Sequence, residues 1–302
     1  MLRKSVSILL LLAILLSASF ALADGAGITV TDMKGREITL DKPATRIVAL
    51  TAADCEILCA LGAGDTLVGR GTYCDYPESV LEAPAVDSGA GTNVEQIIAL
   101  EPQVVLMNTM AQTLEQVEAL ENAGIKVVVS EATDIASVYE AIGLIGALTG
   151  KNAEAGEMVA EMQAAFAEIT ANSENAGKTV YFEVSPLQWE LWSAGKNTFM
   201  DEIATMCGLT NAFADVDGWG EISEEQVLAR DPDYIVTITM YYGEGPTPVE
   251  EIKSRAGWEN LKAVKSDAIF GADSNEISRP GPRLADAARA LYEFVGGEAA
   301  DN

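Results

Sequence analysis

The sequence predicts an α/β protein of two like-built lobes joined by one long helix, and three observations carry that prediction. First, residues 95–105 and 225–235 match at an offset of 130: Glu95-Gln-Ile-Ile-Ala-Leu-Glu-Pro102-Gln-Val-Val105 against Glu225-Gln-Val-Leu-Ala-Arg-Asp-Pro232-Asp-Tyr-Ile235. Each copy reads as a short helix, a proline stop and a buried strand. Second, from Lys151 to Asn175 the apolar residues Ala155, Met158, Val159, Met162, Phe166 and Ile169 recur at helical spacing with glutamates between them. Some twenty residues at about 1.5 Å each span roughly 30 Å, the length of a domain and far more than a turn. Third, strand and helix alternate on both sides of this segment, which argues a mostly parallel sheet with helices on both faces in each half.

In order, Arg3 and Lys4 precede an apolar run from Ile8 to Leu16 and the small residues Ala21-Leu-Ala23. Residues 1–23 are therefore expected to be a cleaved secretory signal peptide, too short in its apolar run for a membrane span. No cysteine follows the run, so no lipid attachment is expected and a periplasmic location is favoured. Ile28–Thr31 and Arg36–Leu40 alternate around a turn at Met33-Lys-Gly35 and predict a β-hairpin. Short apolar strands at 46–50, 68–71, 104–107 and 127–129 alternate with helices ending near Leu61, at 114–122 and at 135–148. The second half restarts at Thr179–Val184 and continues with a loop from Ser185 to Lys196, a helix at 199–207, the repeated unit, a helical segment near Trp258, a strand at Ile269-Phe270 and a last helix at 283–295. The lobes are accordingly Rossmann-like, with expected boundaries 24–150, 151–175 for the connecting helix and 176–302.

Charge and composition narrow the function. Lys and Arg number 19 against 46 Asp and Glu; loss of Arg3 and Lys4 leaves 17 minus 46, a balance of −29. Nucleic acid and anionic lipid are poor partners for such a surface. The chain contains no histidine, which excludes Ser-His-Asp and Cys-His catalysis, histidine-bound zinc and histidine-ligated haem. Cys55 and Cys59, one helical turn apart among Ile57, Leu58 and Leu61, suit small buried apolar positions better than a disulfide.

In sheets of this type the loops after the strands carry the ligand. Those loops hold Tyr73, Tyr76, Asn108, Trp189, Trp192, Trp219, Tyr241, Tyr242, Arg279 and Arg283. Aromatic rings mixed with a few guanidinium groups suit a large, flat, partly anionic ligand; packing of single aromatics in the core is the plainer alternative. In Arg279-Pro-Gly-Pro-Arg283, Pro282 is placed at or next to the first helical position and holds Arg279 just outside the helix; a simple pairing of Arg283 with Asp286 or a nearby glutamate is the alternative. Asn93 and Ser223 are expected N-caps whose boxes are closed by Gln96 and Gln226, leaving Glu95 and Glu225 to project as equivalent acidic knobs.

In this order the hairpin Asp32–Arg36, Tyr73-Cys-Asp-Tyr-Pro77, Asn93-Val-Glu-Gln-Ile97, Ser223-Glu-Glu-Gln-Val227, Asp231-Pro-Asp233 and Arg279-Pro-Gly-Pro-Arg283 resemble the substrate-binding proteins of ATP-driven (ABC) importers for vitamin B12, ferric siderophores and haem. The resemblance covers nearly the whole chain after residue 23. It implies a ligand held between two lobes joined by a single rigid helix, no cofactor, no catalysis, a monomer, and docking of Glu95 and Glu225 onto arginines of a permease dimer in the inner membrane. The expected ligand is a metal chelate: a ferric siderophore, cobalamin or haem. An enzyme processing metal tetrapyrroles on a related two-lobed fold, or a ligand-loaded partner of a membrane sensor, are the rival readings.

Overall fold

A computed structural model describes residues 27–89, 91–109, 113–238 and 245–296. The chain opens with an antiparallel hairpin, β1 (Ile28–Thr31) and β2 (Glu37–Leu40), in which Ile28 faces Leu40. Asp32 fastens the hairpin to the lobe: its buried carboxylate accepts from the backbone of Lys34, Arg36 and Val129 and from the Arg36 side chain. Burial works against the charge of Asp32, but these donors outweigh it and hold its pKa below the usual range.

Five parallel strands follow: β3 (Ile47–Ala49), β4 (Leu67–Gly71), β5 (Ala85–Val86), β6 (Val104–Met107) and β7 (Lys126–Val129), in the order β5-β4-β3-β6-β7. The helices between and after them are α1 (Ala52–Ala60), α2 (Val94–Ala99), α3 (Leu114–Asn122) and α4 (Ile135–Thr149). Gly150 ends α4 in the left-handed conformation and α5 (Asn152–Asn172) begins at once. The two helices pack so closely that a Cβ on Gly146 would lie 2.6 Å from that of Ala155.

The second lobe repeats the plan on β8 (Thr179–Ser185), β9 (Trp192–Ala194), β10 (Thr210–Asn211), β11 (Trp219–Glu221), β12 (Tyr234–Thr237) and β13 (Ile269–Gly271). Its sheet runs β11-β9-β8-β12-β13, with β10 also on β8. β8, β10, β12 and β13 are parallel, whereas β9 and β11 are antiparallel additions. Its helices are α6 (Phe199–Met206), α7 (Glu224–Arg230), α8 (Pro248–Ser254), α9 (Lys262–Lys265), α10 (Ser274–Ile277) and α11 (Leu284–Phe294). The repeat read from the sequence is structural: α2, a proline and β6 recur as α7, a proline and β12. Glu101 and Asp231, each before its proline, share the left-handed φ of 48° and 45°. Gln103 and Asp233 then do the same task, accepting from the backbone just before β3 and at the first residue of β8 respectively.

Residues along the central strands alternate between layers. Ile47, Val104, Leu106, Phe182 and Val236 join one core that also contains Phe166 and Ile169 of α5 and Leu284 and Leu291 of α11, and so runs through both lobes. Val48, Val105 and Ile97 fill the outer layer of the first lobe, and Tyr181, Phe213, Ile235 and Trp258 that of the second. Strands buried on both faces explain why the sequence shows continuous apolar runs there instead of alternation.

Two expectations need correction. Trp192 and Trp219 were expected in loops, yet they lie on β9 and β11, where Trp192 pairs with Glu221 and Trp219 with Ala194. Three-residue strands are too short for a period of two to register. Pro282 lies before the N-cap of the last helix, which is Arg283 itself, and the first helical residue is Leu284.

Candidate functional site

The carboxyl ends of the parallel strands in both lobes open on one cleft. On the first-lobe side the chain leaves β4 at Gly71, where a Cβ would meet the Leu50 carbonyl oxygen at 2.4 Å, and turns through Thr72 to Pro77. Arg70 braces this turn from within by donating to the carbonyl oxygens of Gly71, Thr72 and Cys74. On the second-lobe side the wall is the end of β12, the start of α8 and the stretch from Gly271 to Arg279. Together they bound a cavity of about 580 Å³ lined by Tyr73 and Asp75 of one lobe and Thr237, Asp273, Asn275 and Arg279 of the other, among further residues. A second cavity of about 380 Å³ lies within the first lobe alone, between the hairpin and α3.

Below the cleft the lobes are tied. The amide of Phe199 on α6 donates to the Thr133 carbonyl oxygen at 2.9 Å, and Glu202 Oε2 accepts from the Ile135 amide at 2.6 Å. At its edge stands an ion-pair cluster. Glu56, on α1 and only 3% exposed, accepts from Arg279 Nη1 at 2.9 Å and from Arg283 Nε and Nη2 at 2.9 and 2.7 Å. Arg279 also bridges to Asp75 at 2.8 Å, and the Arg283 guanidinium lies 3.9 Å over the Tyr76 ring. Burial opposes the charge of both arginines, but the hydrogen bonds to Glu56, with Asp75 for Arg279 and Glu276 for Arg283, prevail and raise their pKa values.

The structure brings together Tyr73, Tyr76, Arg279 and Arg283. Tyr73 is 79% exposed and lines the cleft; Tyr76, beside it, serves as the platform for Arg283. Asn108 is half-buried just beyond β6. Trp189, 70% exposed, and the exposed Trp192 stand beyond β8 and on β9, outside the lining of the 580 Å³ cavity. Trp219 is half-buried and packs on Phe199 with ring centroids 5.4 Å apart, a core contact. Tyr241 and Tyr242 lie outside the described residues. Of the alternative partners expected for Arg283, Asp286 is held by Arg289, whereas a nearby glutamate, Glu276, lies 3.8 Å from Arg283 Nη1.

Sequence reasoning missed Glu56. Its signal was available: Asp54 and Glu56 are charged residues inside the otherwise apolar helix Ala52–Ala60, and both are buried. Among the described residues no cation pairs with Asp54; burial pushes its pKa up to about 6 despite hydrogen bonds from Thr51 and Ser130. Cys55, Cys59, Cys74 and Cys207 are free, and Cys59, unlike the others, is only half-buried. A hydrogen bond with Cys74, together with burial, raises the Cys55 thiol pKa.

The acidic knobs sit at matched places. Glu95 and Glu225 are exposed in the first turns of α2 and α7. One turn on, each is followed by an exposed aliphatic residue, Ile98 at 38% and Leu228 at 37%. The caps differ from expectation in one lobe. Ser223 and Gln226 form the box, but Gln96 gives its side-chain amide to the Ala85 carbonyl oxygen, so Asn93 caps alone. In the second lobe Glu224 is fixed by the Trp258 indole N–H at 3.0 Å, and the place of Glu224 is taken in the first lobe by Val94, packed on the core.

Among the described residues no helix is long and apolar enough to cross a membrane. Residues 47–276 match the family described as periplasmic binding protein. The chain is 32% identical over 275 residues to an uncharacterized ABC transporter substrate-binding lipoprotein, YvrC, of Bacillus subtilis, covering 89% of this chain and 85% of that one. It is 30% identical over 254 residues to the vitamin B12-binding protein of Salmonella choleraesuis, covering 82% and 89%. A solved structure described as a possible iron-binding (periplasmic solute-binding) protein from Staphylococcus epidermidis shares 30% identity with a TM-score of 0.71, covering 84% of this chain and all of that one. The two tied lobes, the shared cleft and these likenesses lead to one conclusion: the chain belongs to the periplasmic substrate-binding proteins of the vitamin B12, haem and siderophore ABC importers.

Proposed function

We propose that the protein captures a metal chelate, cobalamin or a ferric chelate foremost, in the cleft between its lobes and delivers it to a permease dimer in the inner membrane without altering it. The observation that carries this reading is the cavity built by both lobes at the carboxyl ends of their strands, with the Tyr73 ring bare at its wall. An exposed aromatic at a cleft mouth has little to gain from water and much from a flat guest. Relatives described as a vitamin B12-binding protein and a possible iron-binding protein support the same class. In this reading the lobes are residues 24–150 and 176–302 and the strut is 151–175. Tyr73, Tyr76, Asn108, Trp189 and Trp192 meet the ligand, with Tyr241 and Tyr242 joining them. Arg279 and Arg283 shape the cleft wall, and Trp219 supports from behind. The protein acts as a monomer, released by signal cleavage near Ala23 without a lipid anchor.

Glu95 and Glu225, each with its aliphatic neighbour, form the two halves of the permease footprint; such charges steer and orient docking. Tryptophan-fluorescence titration of the purified protein with cyanocobalamin, haem and ferric siderophores tests the ligand class. Saturable binding weakened about tenfold or more by Tyr73→Ala is expected, since base- or ring-stacking contacts are worth about 1–3 kcal/mol. Binding that Tyr73→Ala leaves unchanged would contradict the reading.

A further inference from the structure

We infer that the cleft selects a chelate with no net negative charge. The inference rests on the interlobe cleft being the ligand site and deepens that reading by naming the ligand's charge class. Among the described residues in the cavity and packed against its wall, two guanidinium groups, Arg279 and Arg283, face four carboxylates, Glu56, Asp75, Asp273 and Glu276. Two cations against four anions leave the site negative.

The arginines are also spent on their own chain. Arg279 gives Nη1 to Glu56 and Nη2 to Asn275 and Asp75. Arg283 gives Nε and Nη2 to Glu56, sets Nη1 3.8 Å from Glu276, and lays its face on Tyr76. An anionic chelate could recruit either guanidinium only by drawing it off Glu56, which would leave that carboxylate buried with its countercharge reduced. A neutral or cationic chelate leaves the cluster whole. Asp273 adds a fixed negative charge on the second-lobe wall, because its carboxylate is held by the amides of Asn275 and Glu276. Arg70 keeps its charge beneath the Tyr73 turn, where its Nη1 donates to backbone carbonyl oxygens, and counting it still leaves three cations against the same four anions.

The test titrates the purified protein with four probes at low and at physiological ionic strength: uncharged cyanocobalamin, cationic ferrioxamine B, haem with its two propionates, and a trianionic ferric tricatecholate. The expected result is binding of cyanocobalamin or ferrioxamine B at least about tenfold tighter than either anion, the gap narrowing with salt. Glu56→Gln removes one negative charge and loosens the hold on both arginines, and should improve anion affinity by about tenfold or more while leaving the uncharged probe nearly unchanged. Asp75→Asn, at a partly exposed carboxylate whose loss does not endanger folding, should act in the same direction on Arg279. A wild-type protein that prefers an anionic probe, or variants with an unaltered anion-to-neutral ratio, would overturn the inference while leaving the cleft as the ligand site. Absence of binding for all four probes, or binding indifferent to Tyr73→Ala, would overturn the cleft reading and the inference with it.

Discussion

Among the described residues two buried glutamates are clamped by arginine, and they differ in what the clamp joins. Glu183, within β8, is 1% exposed and takes two hydrogen bonds from Arg255, at 2.6 and 2.9 Å, within the second lobe. Arg255 also stacks its guanidinium 4.4 Å over Trp258 and pairs with Glu251; burial opposes its charge, yet the carboxylates hold its pKa above the ordinary value. Glu56 takes three hydrogen bonds from Arg279 and Arg283, but here the donors come from the other lobe. The same chemistry therefore does two jobs. Inside a lobe it fastens β8 to the segment after α8; across the cleft it joins the lobes and cancels the positive charge that an anionic guest would seek.

The comparison breaks most visibly at Arg255. Arg255→Ala leaves Glu183 buried without its countercharge and should cost about 3–5 kcal/mol of stability, read as a lower urea midpoint, with ligand affinity in the surviving folded fraction unchanged. A mild loss would show that Glu183 finds water or a proton and that the clamp is less dry than its exposure indicates.

Asp54 differs from both glutamates as a buried carboxylate that pairs with no cation among the described residues. Its pKa of about 6 in the folded state lies above the unfolded value near 3.8, so the folded state holds the proton more tightly. Stability from this group is present below pH 4 and is lost as the pH rises through 6, amounting to about 3 kcal/mol. Asp54→Asn should remove that slope, so that urea unfolding at pH 4.5 and 7.5 differs less in the variant than in the parent. An identical slope in both would remove Asp54 as its source.

Glu56→Gln keeps one acceptor for the arginines and exposes no unpaired anion, so its stability loss should be smaller, about 1–3 kcal/mol, while its effect on ligand charge preference should be large. The smallest effect on the isolated protein belongs to Glu95 and Glu225, the glutamates proposed to dock. Glu95→Ala with Glu225→Ala should leave stability and ligand affinity within experimental error, since both are exposed, yet abolish uptake in cells; a marked loss of ligand binding by the double variant would refute the docking role.

Much of the architecture was legible because it is local or repeated. The strut Asn152–Asn172 shows its buried stripe in the spacing of Ala155, Met162, Phe166 and Ile169, and the α2–Pro102–β6 unit announces its twin at Pro232. The candidate site was legible as a set of residue types but not as a set of contacts. Arg279 and Arg283 stand out in an acidic chain, yet their partner lies 223 and 227 positions away, and nothing in spacing reveals a pair closed only when two lobes meet. Trp219 misled for the opposite reason: an indole after a glycine turn reads as a loop aromatic, whereas β11 carries it onto Phe199.

A crystal structure with a bound chelate tests the proposed ligand site most directly. The expected density lies between the Tyr73 turn and the Asp273–Arg279 segment, with both arginines still on Glu56. A chelate seated elsewhere, such as the cavity between the hairpin and α3, or one holding Arg279 and Arg283 on its own oxygens, would contradict it.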